Sequence, residues 1–563
     1  MKKAVFIIVS FLLVGQIIAA PKDQQSKTYK IEYKYIRNGQ VSEGQKFSFL
    51  YSDGVAYLSD EQDKIRYYID FNNKQNVSLI KYNKQLYKKL IPFDSLVKPE
   101  FKDDAENILG YNCNYASFSS FSNKIEIWYT NKTKPKGSPY SSYLPDDNSL
   151  VMKVLVNGGN GIIADTIFTT DPEKLDFPVE EAIQINAAEF EEMKILSRYK
   201  KLMVFDNEQI NFDPSIKKGE SSDTTTNIVY HFSKGSIIMK KIVLPNDVNN
   251  EWGVFAKLSC KSNGDAYDRT GSVFMINPDK SVKNIMSVLR DNISQLPVFT
   301  DNSSKKYQGI MATNNYEPPL ELMRFFTTFG VNHFNTLREI NNYPWDEIAE
   351  YKQDISMVMP LENDTLWIGV FIGNYDKGGH IVSLELDFYP SFKEDDSTRR
   401  YIKSLFNTVN IMEMSTQNYG RFFNNDTLRL ELEIPENLNN PQLIYTTTGH
   451  GGWGNGDEFN QTLNEIFIDG ESVFSIIPWR TDCATYRMLN PASGNFGNGL
   501  SSSDLSRSNW CPGTLTPPYI INLNNITSGK HILELVIDQG PDEGNSFNHW
   551  SVSGILVGDL NEK

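Results

Sequence analysis

Cysteine is scarce in this chain: four in 563 residues, Cys113, Cys260, Cys483 and Cys511. None falls in a CxxC pair. The six histidines (His231, His333, His380, His450, His531, His549) form neither HExxH nor HxH. Zinc and copper sites thus lack their usual ligand spacing, and a protein working without metal or cofactor is expected. A GxSxG elbow and a Walker loop are also missing, which removes support for acyl-serine and nucleotide chemistry. Basic charge is short as well. With 55 Lys and Arg against 70 Asp and Glu, the net charge of -15 leaves no concentrated basic surface for nucleic acid.

Long apolar runs are confined to the start, "MKKAVFIIVSFLLVGQIIAA". Two lysines, an apolar run and then small residues form the layout of an export signal, with cleavage expected after Ala20. Ser10 and Gln16 interrupt the run, and it falls short of the ~20 apolar residues of a membrane span. With no cysteine near the cleavage point, a lipid anchor is not expected. The reading is a secreted or periplasmic protein without a membrane anchor, taken as a monomer.

Helical periodicity is rare, limited to "EEAIQINAAEFEEMKILSRYKKL" and "SVKNIMSVLRDNI". Elsewhere "YKIEYKYI", "GSIIMKKIVL", "HIVSLELDFY" and "KHILELVIDQG" alternate apolar and polar residues, the period of antiparallel strands with one buried face. A chain this long exceeds a single core. The expected architecture is all-β, with two adjacent jelly-roll-like antiparallel β-sandwich domains, 200–390 and 400–563, preceded by a mainly β N-terminal domain, 21–195. The boundaries are placed in Pro178–Lys201 and in Asp387–Asn407. In an exported chain Cys483 and Cys511 enclose a Gly/Ser/Asn-rich loop that gains from closure, so a disulfide is expected there, leaving Cys113 and Cys260 as buried thiols.

Three polar loops are candidates for chemistry. "CKSNGDAYDRTGSVFMI" places Asp265, Tyr267, Asp268 and Arg269 at the mouth of a strand. "TTTGHGGWGNGDEFNQTLNEIFIDG" offers close backbone approach at its glycines, a flat ring in Trp453, and the carboxylates Asp457 and Glu458. "LSRSNWCPG" sets Arg507 and Trp510 beside Cys511. Aromatic faces for sugar C–H groups, with carboxylates and arginines for hydroxyls, make a carbohydrate site. Taken singly, each loop also reads as a surface ion pair or a tight turn with a packed indole.

The run from "GHGGWGNGDEFNQTLNEIFIDG" through "CATYRMLNPASGNFGNGLSSSDLSRSNWCPG" resembles the second domain of the bacterial peptide-N-glycosidase F family. "VFDNEQINF…CKSNGDAYDRTGSVFMI" is similar to that family's first domain, so the resemblance spans roughly 200–559. It implies hydrolysis of the amide between N-acetylglucosamine and asparagine in N-linked glycoproteins and glycopeptides. Asp268 then falls on the principal catalytic aspartate, Arg269 on the neighbouring arginine and Glu458 on the supporting glutamate. Trp453, Arg507 and Trp510 fall on substrate-binding positions, with Tyr267 beside them. The sequence departs from the family at Gly373, where a second glutamate is expected, and at Tyr375, which replaces a tryptophan. Cys260 lacks its nearby partner, and Trp453 lies closer to Glu458 than in the family. The N-terminal domain, through "ILGYNCNYASFSSFSNKIEIWYT", resembles GLPGLI-type β domains, and the layout resembles the longer, type II form of the enzyme. The alternative is a non-catalytic carbohydrate-binding surface protein. A glycoside hydrolase would use the same carboxylates but cleave between sugars.

Overall fold

The computed structural model describes residues 27–560 except 59–64, 83–84, 171–174, 217–224, 247, 278–281, 291–292, 391–398, 419–420, 453–455 and 543. The export-signal reading therefore lies outside the described residues, as does Trp453. The chain divides between Ser197 and Arg198 into two compact units.

In the first unit the described strands form one 12-stranded sheet with edges at Ile183–Gln184 and Glu100–Ile108, made of two runs of sequence-adjacent strands, Thr28 to Pro92 and Glu100 to Thr170, joined where Thr28–Arg37 pairs with Asn160–Thr170. Hairpin turns account for the two runs. Asn38-Gly39, Asp53-Gly54, Leu109-Gly110 and Asn157-Gly158 all carry positive φ at both residues, the paired left-handed geometry that matches strand twist. Alternation in Thr28–Arg37 buries Ile31 and Tyr33, and Ile36 is buried after the register shifts between Lys34 and Ile36. Phe49, Ile69 and Ile127 come from well-separated strands yet share one apolar cluster, so the sheet curls over its own face. The helix expected across 180–202 is shorter. Asn186 and Glu189 form a capping box that starts it at Ala187, and it ends at Leu196. Ile183 and Gln184 pair instead with Tyr87 and Lys88 as a parallel strand, and Lys200–Ile210 is already a strand of the second unit. The second expected helix contracts to Met286–Arg290.

The second unit holds two antiparallel sandwiches. The first stacks a four-stranded sheet (Lys200–Ile210, His380–Tyr389, Gly253–Ser262, Ala349–Asp354) on a six-stranded one that contains Thr270–Ile276, Leu320–Phe326 and Thr365–Ile372. The second pairs two four-stranded sheets, with Leu438–His450 and His549–Leu560 at the centre of one. Each has its own apolar core. They also share structure. Leu515–Thr516, from the C-terminal half of the chain, adds to the edge of the first sandwich beside Phe325 and Arg324. Arg324 is buried, pairs with Glu321 at 2.6 Å, and donates to Thr448 and to the Ser551 carbonyl of the second sandwich. A buried charge pair is tolerated when its remaining donors and acceptors are satisfied, as here. Asp387–Asn407, the expected boundary, consists largely of strand on either side of 391–398. Cys260 is buried in the first core, where desolvation pushes its thiol up, and Cys113 is likewise a buried free thiol.

Candidate active site

The loop between Gly253–Ser262 and Thr270–Ile276 is built around Asp265. This buried carboxylate accepts from the Tyr267 amide at 3.0 Å and from Arg269 Nε at 2.8 Å, while the Ser262 hydroxyl donates to the Asp265 carbonyl at 2.6 Å. Thr327 clamps the far end, donating to the Tyr267 carbonyl and accepting from the Arg269 amide. Asp265 and Thr327 thereby set the loop and present Asp268 to a cavity between the sandwiches. Arg269 does not hold Asp268. Its guanidinium engages Asp265 and covers the rings of Tyr267 and Tyr375 at 4.9 and 5.2 Å.

The partner of Asp268 is Arg507, whose Nη1 lies 3.5 Å from Asp268 Oδ2 and also bonds Glu458. Arg507 is fully buried, donates to the Ser502 carbonyl at 2.7 Å, and lies over the Trp510 ring at 4.4 Å. The structure thus sets Arg507 behind the two carboxylates, not on the cavity surface. Trp510 has 3 % of its surface exposed, stacks on Phe326 at 4.3 Å and donates to the Gly449 carbonyl, so it lines the cavity and supports Arg507 together. Tyr267 is 61 % exposed and does not line the cavity. Tyr375 does line it, with its hydroxyl bonded to Glu413.

The two acids of the GDEF run separate in role. Asp457 is buried and accepts from Gly540 N and Trp550 Nε1, which pins the loop. Glu458 faces the cavity. Gly451 is needed where it stands: φ is +98°, and a Cβ there would meet the Phe547 carbonyl at 1.8 Å.

The cavity has a volume of about 430 Å³, a size suited to a small ligand. Burial pushes the Asp268 carboxyl up to about 6, although Arg507 and Arg269 pull the other way. Arg507 is drawn down to about 10 by burial and stays charged at neutral pH. His450 and His549 stack at 4.8 Å on the cavity wall and burial lowers both, His549 to about 4, so both are neutral there. The sequence reading missed Glu413, His450 and His549. The signal for Glu413 was a single acid in the apolar run "NIMEM".

Cys483 and Cys511 are bonded and bracket the segment that carries Arg507 and Trp510. Their separation of 28 residues corresponds to about 3.5 kcal/mol of loop entropy in the unfolded chain. A Cys483→Ser/Cys511→Ser double variant is expected to lose about that much stability in denaturant titration, with a loss of activity as Arg507 gains freedom. Unchanged denaturation and unchanged activity would show that packing alone holds the segment.

Three family models match the chain. One described as Peptide-N-glycosidase F, N terminal covers residues 201–388, one described as Peptide-N-glycosidase F, C terminal covers 418–557, and one described as N-glycanase peptide, N-terminal domain covers 31–182. No curated protein matches the chain. Among solved structures, PNGF-II in one space group is 38 % identical with a TM-score of 0.76, over 94 % of this chain and 99 % of that one. PNGF-II in a second space group is also 38 % identical, with a TM-score of 0.74 over 95 % and 99 %. With Asp268, Glu458 and Trp510 inside the matched regions and this identity across nearly the whole of PNGF-II, the chain belongs to the peptide-N-glycosidase F family.

Proposed function

We propose that this protein is a peptide-N4-(N-acetyl-β-glucosaminyl)asparagine amidase, which hydrolyses the amide joining N-acetylglucosamine to asparagine and leaves aspartate with an intact released glycan. The observation that carries this is the cluster of Asp268 and Glu458 on one buried arginine, Arg507, at the wall of a cavity between two sandwiches. Family membership supports a peptide-N-glycosidase, and the site chemistry suits amide cleavage.

An amide is a poor leaving group, so water must be aimed at the carbonyl and the departing nitrogen protonated. Asp268, near pH 6 in its titration, is ionised at neutral pH and basic enough to take the water proton and pass it to the leaving nitrogen. Arg507 holds Asp268 and Glu458 in register as a positioning residue. Glu458 then orients the water or the first sugar. Arg269 adds positive charge at the cavity wall, where Tyr375 and Trp510 also lie. The reaction needs no metal in this scheme. The N-terminal unit carries no comparable cluster among its described residues and is assigned to binding bulky glycoproteins. Removing it should spare cleavage of small glycopeptides and impair cleavage of glycoproteins. We further assign export by the N-terminal signal.

The test is mass spectrometry of a defined N-glycopeptide after incubation. The expected products are a peptide with aspartate in place of asparagine and the intact glycan. A peptide retaining one N-acetylglucosamine would make the protein a glycoside hydrolase, and an untouched glycopeptide would make it a binding protein.

A further inference from the structure

One carboxyl on the cavity has no part in the scheme above. Glu413 sits in the connection that leads from strand Arg399–Asn407 to strand Leu428–Ile434, between the two sheets of the second sandwich, in a single turn, Glu413–Ser415. That connection is part of the packed structure. Val409, Ile411 and Met412 are buried among Phe232, Ile237 and Phe371 of the first sandwich. The Gln417 side chain accepts from the Met412 amide and donates to the Gln308 carbonyl, and Ser415 bonds Ser233. Thr408 bonds the Trp550 carbonyl of the second sandwich. The backbone under Glu413 is therefore held from both sides, and its side chain reaches the cavity together with Gly373 and Tyr375.

The Glu413 carboxyl takes the Tyr375 hydroxyl on Oε1, and Oε2 has no hydrogen-bond partner among the described residues. Its nearest counter-charge, Arg269, is already engaged by Asp265. Burial raises the Glu413 carboxyl, so placing it here carries a desolvation cost that one tyrosine hydroxyl offsets only in part. A free acceptor oxygen on a cavity of this kind is suited to a ligand rich in O–H donors. A pyranose offers a ring of hydroxyls, and neighbouring Phe547 and Tyr375 supply apolar faces for its C–H groups.

We propose that Glu413 is a substrate-binding residue that accepts a hydrogen bond from a hydroxyl of the sugar attached to asparagine, with Tyr375 orienting its carboxyl. This rests on the amidase reading for its substrate, but sugar binding can be measured without turnover.

The experiment uses the whole protein and its Glu413→Ala and Glu413→Gln variants. Calorimetry with the free disaccharide of two N-acetylglucosamines gives affinity, and a defined N-glycopeptide gives KM and kcat. Glu413→Ala is expected to weaken disaccharide binding and raise KM by about tenfold or more, a loss of about 1.4 kcal/mol, with kcat little changed. Glu413→Gln, which keeps one acceptor oxygen, should recover part of that loss. Unchanged disaccharide affinity in both variants overturns the proposal, and so does a defect confined to kcat or to the peptide portion. If the alanine variant loses its thermal transition, the near-isosteric glutamine variant decides. A wild-type protein that binds the disaccharide through Glu413 but cleaves no glycopeptide would overturn the amidase reading and support this one.

Discussion

Asp268→Asn is expected to abolish release of glycan from an N-glycopeptide and, at the same time, to make the folded protein more stable at pH 8. The first effect follows from the proposed proton transfer, since asparagine accepts no proton at neutral pH; a fall of at least about 10³ in kcat/KM is expected when the central acid–base group is lost. The second follows from linkage. The folded carboxyl titrates near 6 against an ordinary value of 3.8, so between these values the folded state holds a proton that the unfolded chain has released. Stability is then full below about 4 and declines as pH rises through about 6, and the ionised carboxylate costs about 1 to 3 kcal/mol above that. Asparagine resembles the neutral form, so the variant should gain about that amount at pH 8 and nothing at pH 4. Thermal melts at both pH values check this. A variant melting below wild type at pH 8 would show that Asp268 stabilises the fold as an ion. In the wild type, kcat/KM should fall below pH 6 with unit slope, because the carboxylate is the working form. A loss of activity above pH 6 would assign Asp268 the role of acid.

The second large effect is expected at Arg507. Arg507→Met keeps much of the side chain's volume but leaves Asp268 and Glu458 facing each other without their shared cation. Breaking a buried ion pair by removing one partner costs about 3 to 5 kcal/mol. Because Arg507 pulls the Asp268 carboxyl down, its removal should move the acid limb of the pH profile above 6, and activity at pH 7 should fall at least about a hundredfold. A limb that stays at 6 would show that Asp268 does not feel Arg507. Combining Arg507→Met with Asp268→Asn should recover stability but not activity, since the two residues are in contact and their effects do not add.

Much of this was legible in the chain. Alternation in "HIVSLELDFY" buries Val382, Leu384, Leu386 and Phe388 on one sheet face, and a period of two admits no other assignment for so short a run. The Asx-turn geometry of Asp265 is local, so the loop could be singled out from its own residues. The helices are shorter than the apolar spacing predicts because that spacing carries no boundary signal, whereas the capping box at Asn186 and the tertiary pairing of Ile183 set where the first one begins. In the chain Arg269 is the immediate neighbour of Asp268. The structure gives that arginine to Asp265 and the catalytic candidate to Arg507, which lies 239 positions further on.

The sequence alone determined the β class, the turns, the Cys483–Cys511 bond and which loops carry carboxylates, because each depends on residues near in the chain or on the chemistry of a few side chains. Only the tertiary structure decided which carboxylates share a cation, which aromatic residues are spent on packing, and that the connection between the two sheets of the second sandwich brings Glu413 to the cavity. Those are questions of distance between segments far apart in the chain. Burial, which moves Asp268 to about 6 and leaves Tyr267 in solvent, is a property of the assembled fold and of no single segment.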